Sequence, residues 1–169
     1  NEFALRGIKA CMMELNQPEN SSDSATNRSR AHVHYDAAVA LVEQGRYEAA
    51  IDACSKATAA DPTWSDSWLL LGKLHDETHD YPAAVLAFSE VLHLCPTSIE
   101  AACLQGDALR KQNDFHRAVS SYELAISLDA ECLAAISGMG EALRALGEYR
   151  EAIASFDAAL EIGPSHFYS

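Results

Sequence analysis

The chain has few basic residues, no long apolar run and no paired-cysteine motif, and each absence excludes a class of protein. Lys and Arg number 12 against 25 Asp and Glu among 169 residues, which gives a formal net charge of −13. So acidic a protein repels nucleic-acid phosphates and anionic lipid headgroups, and we expect neither as its main partner. No apolar run approaches the roughly 18 residues of a membrane-spanning helix, so we expect no membrane insertion.

The cysteines are scattered along the chain and odd in number. An odd count without CxxC spacing argues against a disulfide scaffold. We therefore expect isolated, reduced thiols that behave as small hydrophobic side chains, in a protein of the cytoplasm or the nucleus. The five are Cys11, Cys54, Cys95, Cys103 and Cys132.

A period of 34 residues organises the sequence from position 31 onward. The blocks 31–64, 65–98, 99–132 and 133–166 align without gaps. Block position 17 is always aromatic, position 20 is always Ala, and position 8 is Ala or Gly. At positions 8, 17 and 20 the successive blocks carry Ala38, Tyr47 and Ala50; Gly72, Tyr81 and Ala84; Gly106, Phe115 and Ala118; and Gly140, Tyr149 and Ala152.

Each block predicts two helices of about 14 residues with a turn at block positions 15 and 16. The first turn residue is Gly45, His79, Asn113 or Gly147, types that tolerate the left-handed backbone that ends a helix. Small residues at positions 8 and 20 should let the two helices approach. The large residue at position 24 should fill the gap toward the next repeat. One hairpin cannot bury both of its apolar sides, so the hairpins must stack.

This pattern resembles the tetratricopeptide repeat (TPR) family over residues 31–166. The resemblance implies an all-α fold, a right-handed superhelical solenoid of antiparallel helix pairs, with the first helix of each pair lining a concave groove. The first repeat departs most, with His34, Ala37 and Leu41 at positions that the family fills with larger residues. The second repeat carries the family signature at Trp68, Leu71, Gly72, Tyr81, Ala84, Phe88 and Pro96.

The surface of each first helix that faces away from its partner helix is the candidate binding site. Block positions 2, 5, 9 and 12 share this side, and positions 6 and 13 flank it. It combines apolar side chains in the first three repeats with an excess of acids, which suits a protein segment with apolar anchors and basic flanks. This groove stripe comprises Tyr35, Asp36, Val39, Glu43, Asp66, Leu69, Leu70, Lys73, Asp76, Glu77, Glu100, Cys103, Leu104, Asp107, Arg110 and Glu141. An alternative is that some of its leucines pack against the adjacent repeat.

The resemblance also bears on chaperone tails. TPR proteins that hold the acidic C-termini of heat-shock proteins use Lys, Asn and Arg at fixed first-helix positions. Here those positions carry Tyr35, Val39, Leu70, Glu100 and Leu104, so we do not expect an acidic tail as ligand.

No catalytic motif, cofactor fingerprint or metal-ligand set is present, and we predict a non-catalytic interaction scaffold. His75 and His79 have the spacing of a metal-binding pair on one helix face, but the repeat explains both as packing and turn residues. Two alternatives stay open. One is self-association through an uncapped last repeat, around Ile153 and Phe156. The other is a targeting arm of an enzyme whose catalytic part lies outside this chain.

The two ends fall outside the four repeats. Residues 1–17 carry an apolar helical face and could form a helix, as half of a degenerate repeat or as a cap. Residues 18–30 are rich in Ser and Asn and predict a flexible linker. Residues 167–169 form a short tail after the four-repeat domain at 31–166.

Overall fold

The computed structural model describes residues 21–166, and within that range the side chains of residues 24–162. All elements in the described range are helices, which confirms the predicted all-α class. They are α1 Ser21–Glu43, α2 Tyr47–Ala60, α3 Ser65–Glu77, α4 Tyr81–Leu94, α5 Ile99–Lys111, α6 Phe115–Leu128, α7 Leu133–Leu146 and α8 Tyr149–His166.

The turn inside each hairpin has the left-handed residue that the sequence predicted. The φ angles at block position 15 are 71° at Gly45, 62° at His79, 64° at Asn113 and 83° at Gly147. The N–H of the following residue bonds back to the ending helix, as from Asp80 to the carbonyl of His75 at 2.8 Å. This is the bond that closes a helix at a left-handed residue.

Side-chain caps fix where several helices begin. Asp80 accepts from the N–H of Ala83, and Ser98 accepts from the N–H of Ala101, both at 3.3 Å. Asp114 caps α6 in the same way. Each cap satisfies a backbone donor that the first turn leaves without a partner. Among these helices α5 carries part of the groove stripe, whereas α4 and α6 are second helices, so the side-chain caps fix the start of one stripe helix and of two helices behind it.

The hairpins stack in a row that curves toward the first helices. Every helix from α1 to α8 packs against the next one in the chain, and in addition α3 contacts α5 and α5 contacts α7. No comparable contact joins the second helices to one another in the described part of the chain. From α3 onward the first helices touch one another while the second helices stay apart, which is the arrangement of a solenoid with its first helices on the inner side.

The aromatic side chain at block position 24 packs over the glycine at position 8 of its own repeat. A Cβ added at Gly72 would lie 2.5 Å from the Phe88 ring, and one at Gly106 would lie 2.6 Å from the Tyr122 ring. Tyr122 also reaches the next repeat, because a Cβ at Gly138 would lie 2.5 Å from its ring. The prediction that position 24 serves the gap toward the next repeat was therefore incomplete, since its ring first fills the space inside its own hairpin.

The linker predicted for residues 18–30 is corrected over residues 21–30, which form the first turns of α1. Ser, Asn and Asp are only moderate helix formers, but the run holds no Gly or Pro, and extending an existing helix costs little per residue. Arg28 at this end lies 3.5 Å from Asp61, which follows α2. The helix predicted for residues 1–17, the rest of the linker and the tail lie outside the described residues.

Candidate partner-binding groove

Two ion pairs join the groove stripes of the second and third repeats. Lys73 Nζ of α3 lies 2.7 Å from Glu100 Oε1 of α5, and Lys111 Nζ of α5 lies 2.6 Å from Asp76 Oδ2 of α3. Both pairs cross from one first helix to the next, so their charged groups occupy one continuous surface. The sequence predicted this surface but not the pairing within it.

An aromatic cluster lies where the first repeat meets the second. The ring centroid of Tyr35 on α1 is 4.7 Å from that of Trp64, which directly precedes α3. The ring centroid of His32, also on α1, is 4.1 Å from that of Trp64. The Trp64 indole N–H points toward Asp66 at 3.4 Å. Burial and then the negative charge of Asp66 raise the pKa of Tyr35. Trp64 was absent from the predicted site, although block position 34 directly precedes each next first helix.

The third repeat anchors its stripe residues to the core. The hydroxyl of Tyr122 donates to Asp107 Oδ1 at 2.7 Å, and Arg110 approaches the same carboxylate at 3.4 Å. Tyr122 is fully buried, and burial raises the pKa of its hydroxyl. The buried Tyr122 therefore holds Asp107 in place, and Asp107 in turn holds Arg110. In the fourth repeat, Glu141 is paired with Arg144 at 2.6 Å.

The pairing leaves the free negative charge of the stripe at one end of the array. The stripe bases Lys73 and Arg110, and the neighbouring bases Lys111 and Arg144 at block positions 13 and 12, are each bound to an acid of the stripe. The acids that form no ion pair within the described residues all belong to the first two repeats. They are Asp36, Glu43, Asp66 and Glu77.

The apolar side chains of the stripe are less available than the spacing suggests. Leu69 and Leu104 pack against the core cluster of the later repeats, and Leu70 packs against that of the first two. All three are half-buried. Val39 is 37% exposed and offers the most open apolar surface of the stripe.

Two of the predicted isolated thiols are not isolated. Cys103 Sγ lies 3.6 Å from Cys132 Sγ, and both side chains are half-buried. Cys54 has no such neighbour, and its thiol donates to the carbonyl of Ser67 at 3.1 Å. Burial raises the pKa of Cys54 to about 12. The contact between Cys103 and Cys132 could not be predicted from local spacing, because the two residues are 29 positions apart.

The histidine pair contributes to the turn after α3. His79 has a positive φ, and its Nδ1 lies 3.0 Å from the hydroxyl of Tyr81. His75 Nδ1 is 3.7 Å from Asp80 Oδ2. Over the described residues there is no group of three or more His, Cys, Asp or Glu side chains placed to hold a metal ion. None of the helices in that range has both the length and the apolar content needed to cross a membrane.

Comparison with solved structures finds proteins with the same fold. MamA aligns with a TM-score of 0.78 at 21% identity, over 82% of this chain and 81% of its own. YrrB, described as a TPR protein with an unusual peptide-binding site, gives 0.73 at 24% identity, over 82% and 72%. The first TPR of Spaghetti, bound to the HSP90 peptide SRMEEVD, gives 0.67 at 20% identity, over 71% and 95%.

Comparison with curated protein sequences gives no match. The sequence profile of the tetratricopeptide repeat, however, matches residues 23–64, 35–99 and 103–167, which together span most of the chain. This match agrees with the stacked helix pairs, their left-handed turns and the contacts between first helices. The chain belongs to the tetratricopeptide repeat family.

Proposed function

We propose that this chain is a non-catalytic scaffold that binds a protein segment with basic flanks and apolar anchors at the first two repeats of its groove. The observation that carries the proposal is the charge distribution. The bases on this surface are paired with acids of the stripe, and the remaining stripe acids, Asp36, Glu43, Asp66 and Glu77, all lie in the first two repeats. Clustered acids on a rigid surface attract a basic segment and set its orientation.

The same end of the groove offers apolar contact. Val39 is exposed, and the half-buried ring of Tyr35 lies against Trp64. Aromatic rings held by their neighbours lose little side-chain entropy on binding, which favours them as anchors. The leucines of the stripe are largely used in packing, so we assign the anchor contacts to Tyr35 and Val39.

The similar structures support peptide binding in general, but the ligand that we propose for this chain differs in charge from the peptide bound to Spaghetti. Spaghetti is bound to an acidic chaperone peptide, and YrrB is described as having a peptide-binding site. In this chain the position where an acidic tail needs a lysine carries Glu100, which is paired with Lys73. We therefore propose a basic segment in place of an acidic tail.

A charge-reversal experiment tests the proposal. The probe is a synthetic peptide with leucines flanked by lysines, and its affinity is measured by calorimetry for the wild type and for Asp36→Lys combined with Glu77→Lys. We expect the affinity to fall by about tenfold or more, because two attractions become repulsions at the binding surface. Asp36 and Glu77 are both exposed and form no ion pair within the described residues, so the fold should tolerate the change.

The matched control reverses Glu90 and Glu123 to lysine. Both are exposed acids on the second helices α4 and α6, and the net charge changes by the same amount. The control should bind almost as well as the wild type. An equal loss in both variants would mean that the peptide responds to net charge alone, and the groove proposal would fail.

Self-association through the last hairpin is a second candidate. Tyr149, Ile153 and Leu160 on α8 are 66%, 59% and 68% exposed, whereas Val85, the counterpart of Ile153 in the second repeat, is 5% exposed. The counterparts of Ile153 and Leu160 in the earlier repeats are all buried or half-buried. Phe156, predicted to be exposed as well, is half-buried over Gly140.

Sedimentation over a concentration series tests the second candidate. If α8 mediates self-association, the wild type should form dimers or larger species, and Ile153→Asp combined with Leu160→Asp should shift it to the monomer. The matched control is Leu86→Asp, which changes an exposed leucine on α4. A wild type that stays monomeric at every concentration excludes this candidate.

A further inference from the structure

Two thiols of the third repeat meet at the edge of the groove, where Cys103 belongs to the groove stripe. Cys103 lies on α5, and Cys132 is the residue that precedes α7. Their sulfur atoms are 3.6 Å apart, and both side chains are partly accessible. A disulfide bond needs about 2.05 Å between the sulfurs, so a displacement of about 1.5 Å closes the bond.

The repeat geometry explains this proximity. Cys103 occupies block position 5 and Cys132 occupies block position 34 of the same repeat. In the first repeat these two positions hold Tyr35 and Trp64, whose rings are also in contact. The contact between positions 5 and 34 therefore arises from the way a first helix meets the start of the next one. The third repeat happens to place a thiol at both positions.

We propose that Cys103 and Cys132 form an oxidation-sensitive pair, which a small-molecule disulfide such as oxidised glutathione converts into an intramolecular disulfide linking α5 to the start of α7. This proposal is independent of what the groove binds. The other described cysteines do not share the arrangement, since Cys54 is buried against Ser67 and Cys95 is exposed without a thiol neighbour.

The exchange proceeds in two balanced steps. The thiolate of Cys132 attacks one sulfur of oxidised glutathione, which breaks the glutathione S–S bond, forms a mixed disulfide and releases one glutathione. Cys103 then loses its proton to solvent and attacks the Cys132 sulfur, which releases the second glutathione. Two protein thiols are oxidised, and one glutathione disulfide is reduced to two thiols.

The order of the steps follows from the environment of Cys103. Burial, followed by its contact with Cys132, raises the pKa of Cys103 to about 12, and the negative charges of Asp107 and Asp129 act in the same direction. Cys103 is thus a poor first nucleophile. It needs only to reach a sulfur already in contact with its own, which suits the second step.

The disulfide should stabilise the last two repeats. It closes a loop between residues 29 positions apart, and such a cross-link restricts the unfolded chain. We expect the midpoint of thermal unfolding to rise by about 5 °C or more after oxidation. Reduction with dithiothreitol should restore the original midpoint.

The test treats the full chain with oxidised glutathione in a background of Cys11→Ser and Cys95→Ser. Peptide mapping after alkylation should find a cross-link between Cys103 and Cys132, with no glutathione retained. Cys103→Ser should instead keep one glutathione on Cys132, and Cys132→Ser should form no cross-link. Circular dichroism checks that each variant stays helical.

Two results would overturn the proposal. One is stable glutathionylation of the wild-type pair without a cross-link. The other is a wild type that stays fully reduced in oxidised glutathione while an exposed control thiol, Cys95 in the unmodified background, reacts. Because both results are read on chains that retain the pair, they decide the question even if a serine variant does not fold.

Discussion

Replacing Tyr122 with alanine is expected to lower the free energy of unfolding by about 3–5 kcal/mol, as for other buried aromatic truncations. The ring is fully buried and lies in the space that Gly106 and Gly138 leave between two repeats. Its removal opens a cavity between two hairpins. Asp107 also loses the hydrogen bond that the Tyr122 hydroxyl donates to it. Urea unfolding followed by circular dichroism measures the change.

Two further variants separate packing from the hydrogen bond. Tyr122→Phe keeps the ring and removes only the hydroxyl, so we expect a loss of about 1–2 kcal/mol. Tyr47→Ala removes a tyrosine that is 39% exposed and should cost less than Tyr122→Ala. If Tyr122→Ala cost no more than Tyr47→Ala, the stacking of repeats through this ring would be contradicted.

Replacing Gly72 with alanine is expected to destabilise the second repeat by about 1–3 kcal/mol, although alanine is normally the better helix former. The added Cβ would lie 2.5 Å from Phe88 Cε1, a distance that forces the ring or the helix to move. Ser65→Ala, at the start of the same helix, is the control, because it introduces alanine without adding a Cβ. Thermal or urea unfolding of both variants measures the difference.

The first repeat supplies the compensating change. It has Ala38 at block position 8 and the smaller Cys54 at position 24, and both are fully buried. In a Phe88→Cys background, therefore, Gly72→Ala should become neutral or stabilising. The interaction energy from this double-mutant cycle isolates the contact between the two positions. A cost for Gly72→Ala that is the same in both backgrounds would show that the glycine is needed for another reason.

Much of the fold could be predicted because its signals are local and recur. The left-handed residues Gly45, His79, Asn113 and Gly147 mark the turns directly, and Asp80 and Asp114 cap the helices that follow. The linker predicted for residues 21–30 was wrong for a local reason as well. A polar run without Gly or Pro can extend a helix that later residues nucleate, and its composition alone does not show this.

The groove was harder to predict because it depends on contacts between repeats. Helical spacing identified which side of α3 and α5 carries Lys73 and Glu100, but not that these two side chains would neutralise each other. Whether two residues meet across helices depends on the rotation and offset of the hairpins, which spacing within one helix does not determine. For the same reason, neither the place of Trp64 in the site nor the contact between Cys103 and Cys132 could be predicted.

The central claim is that the first helices form the working surface and that its acidic end selects the ligand. A crystal structure of the chain with the lysine-flanked leucine peptide tests it most directly. We expect the peptide along α1 and α3, with lysines near Asp36 and Glu77 and a leucine against Val39 or Tyr35. A peptide bound to the second helices, or to α8 alone, would contradict the claim.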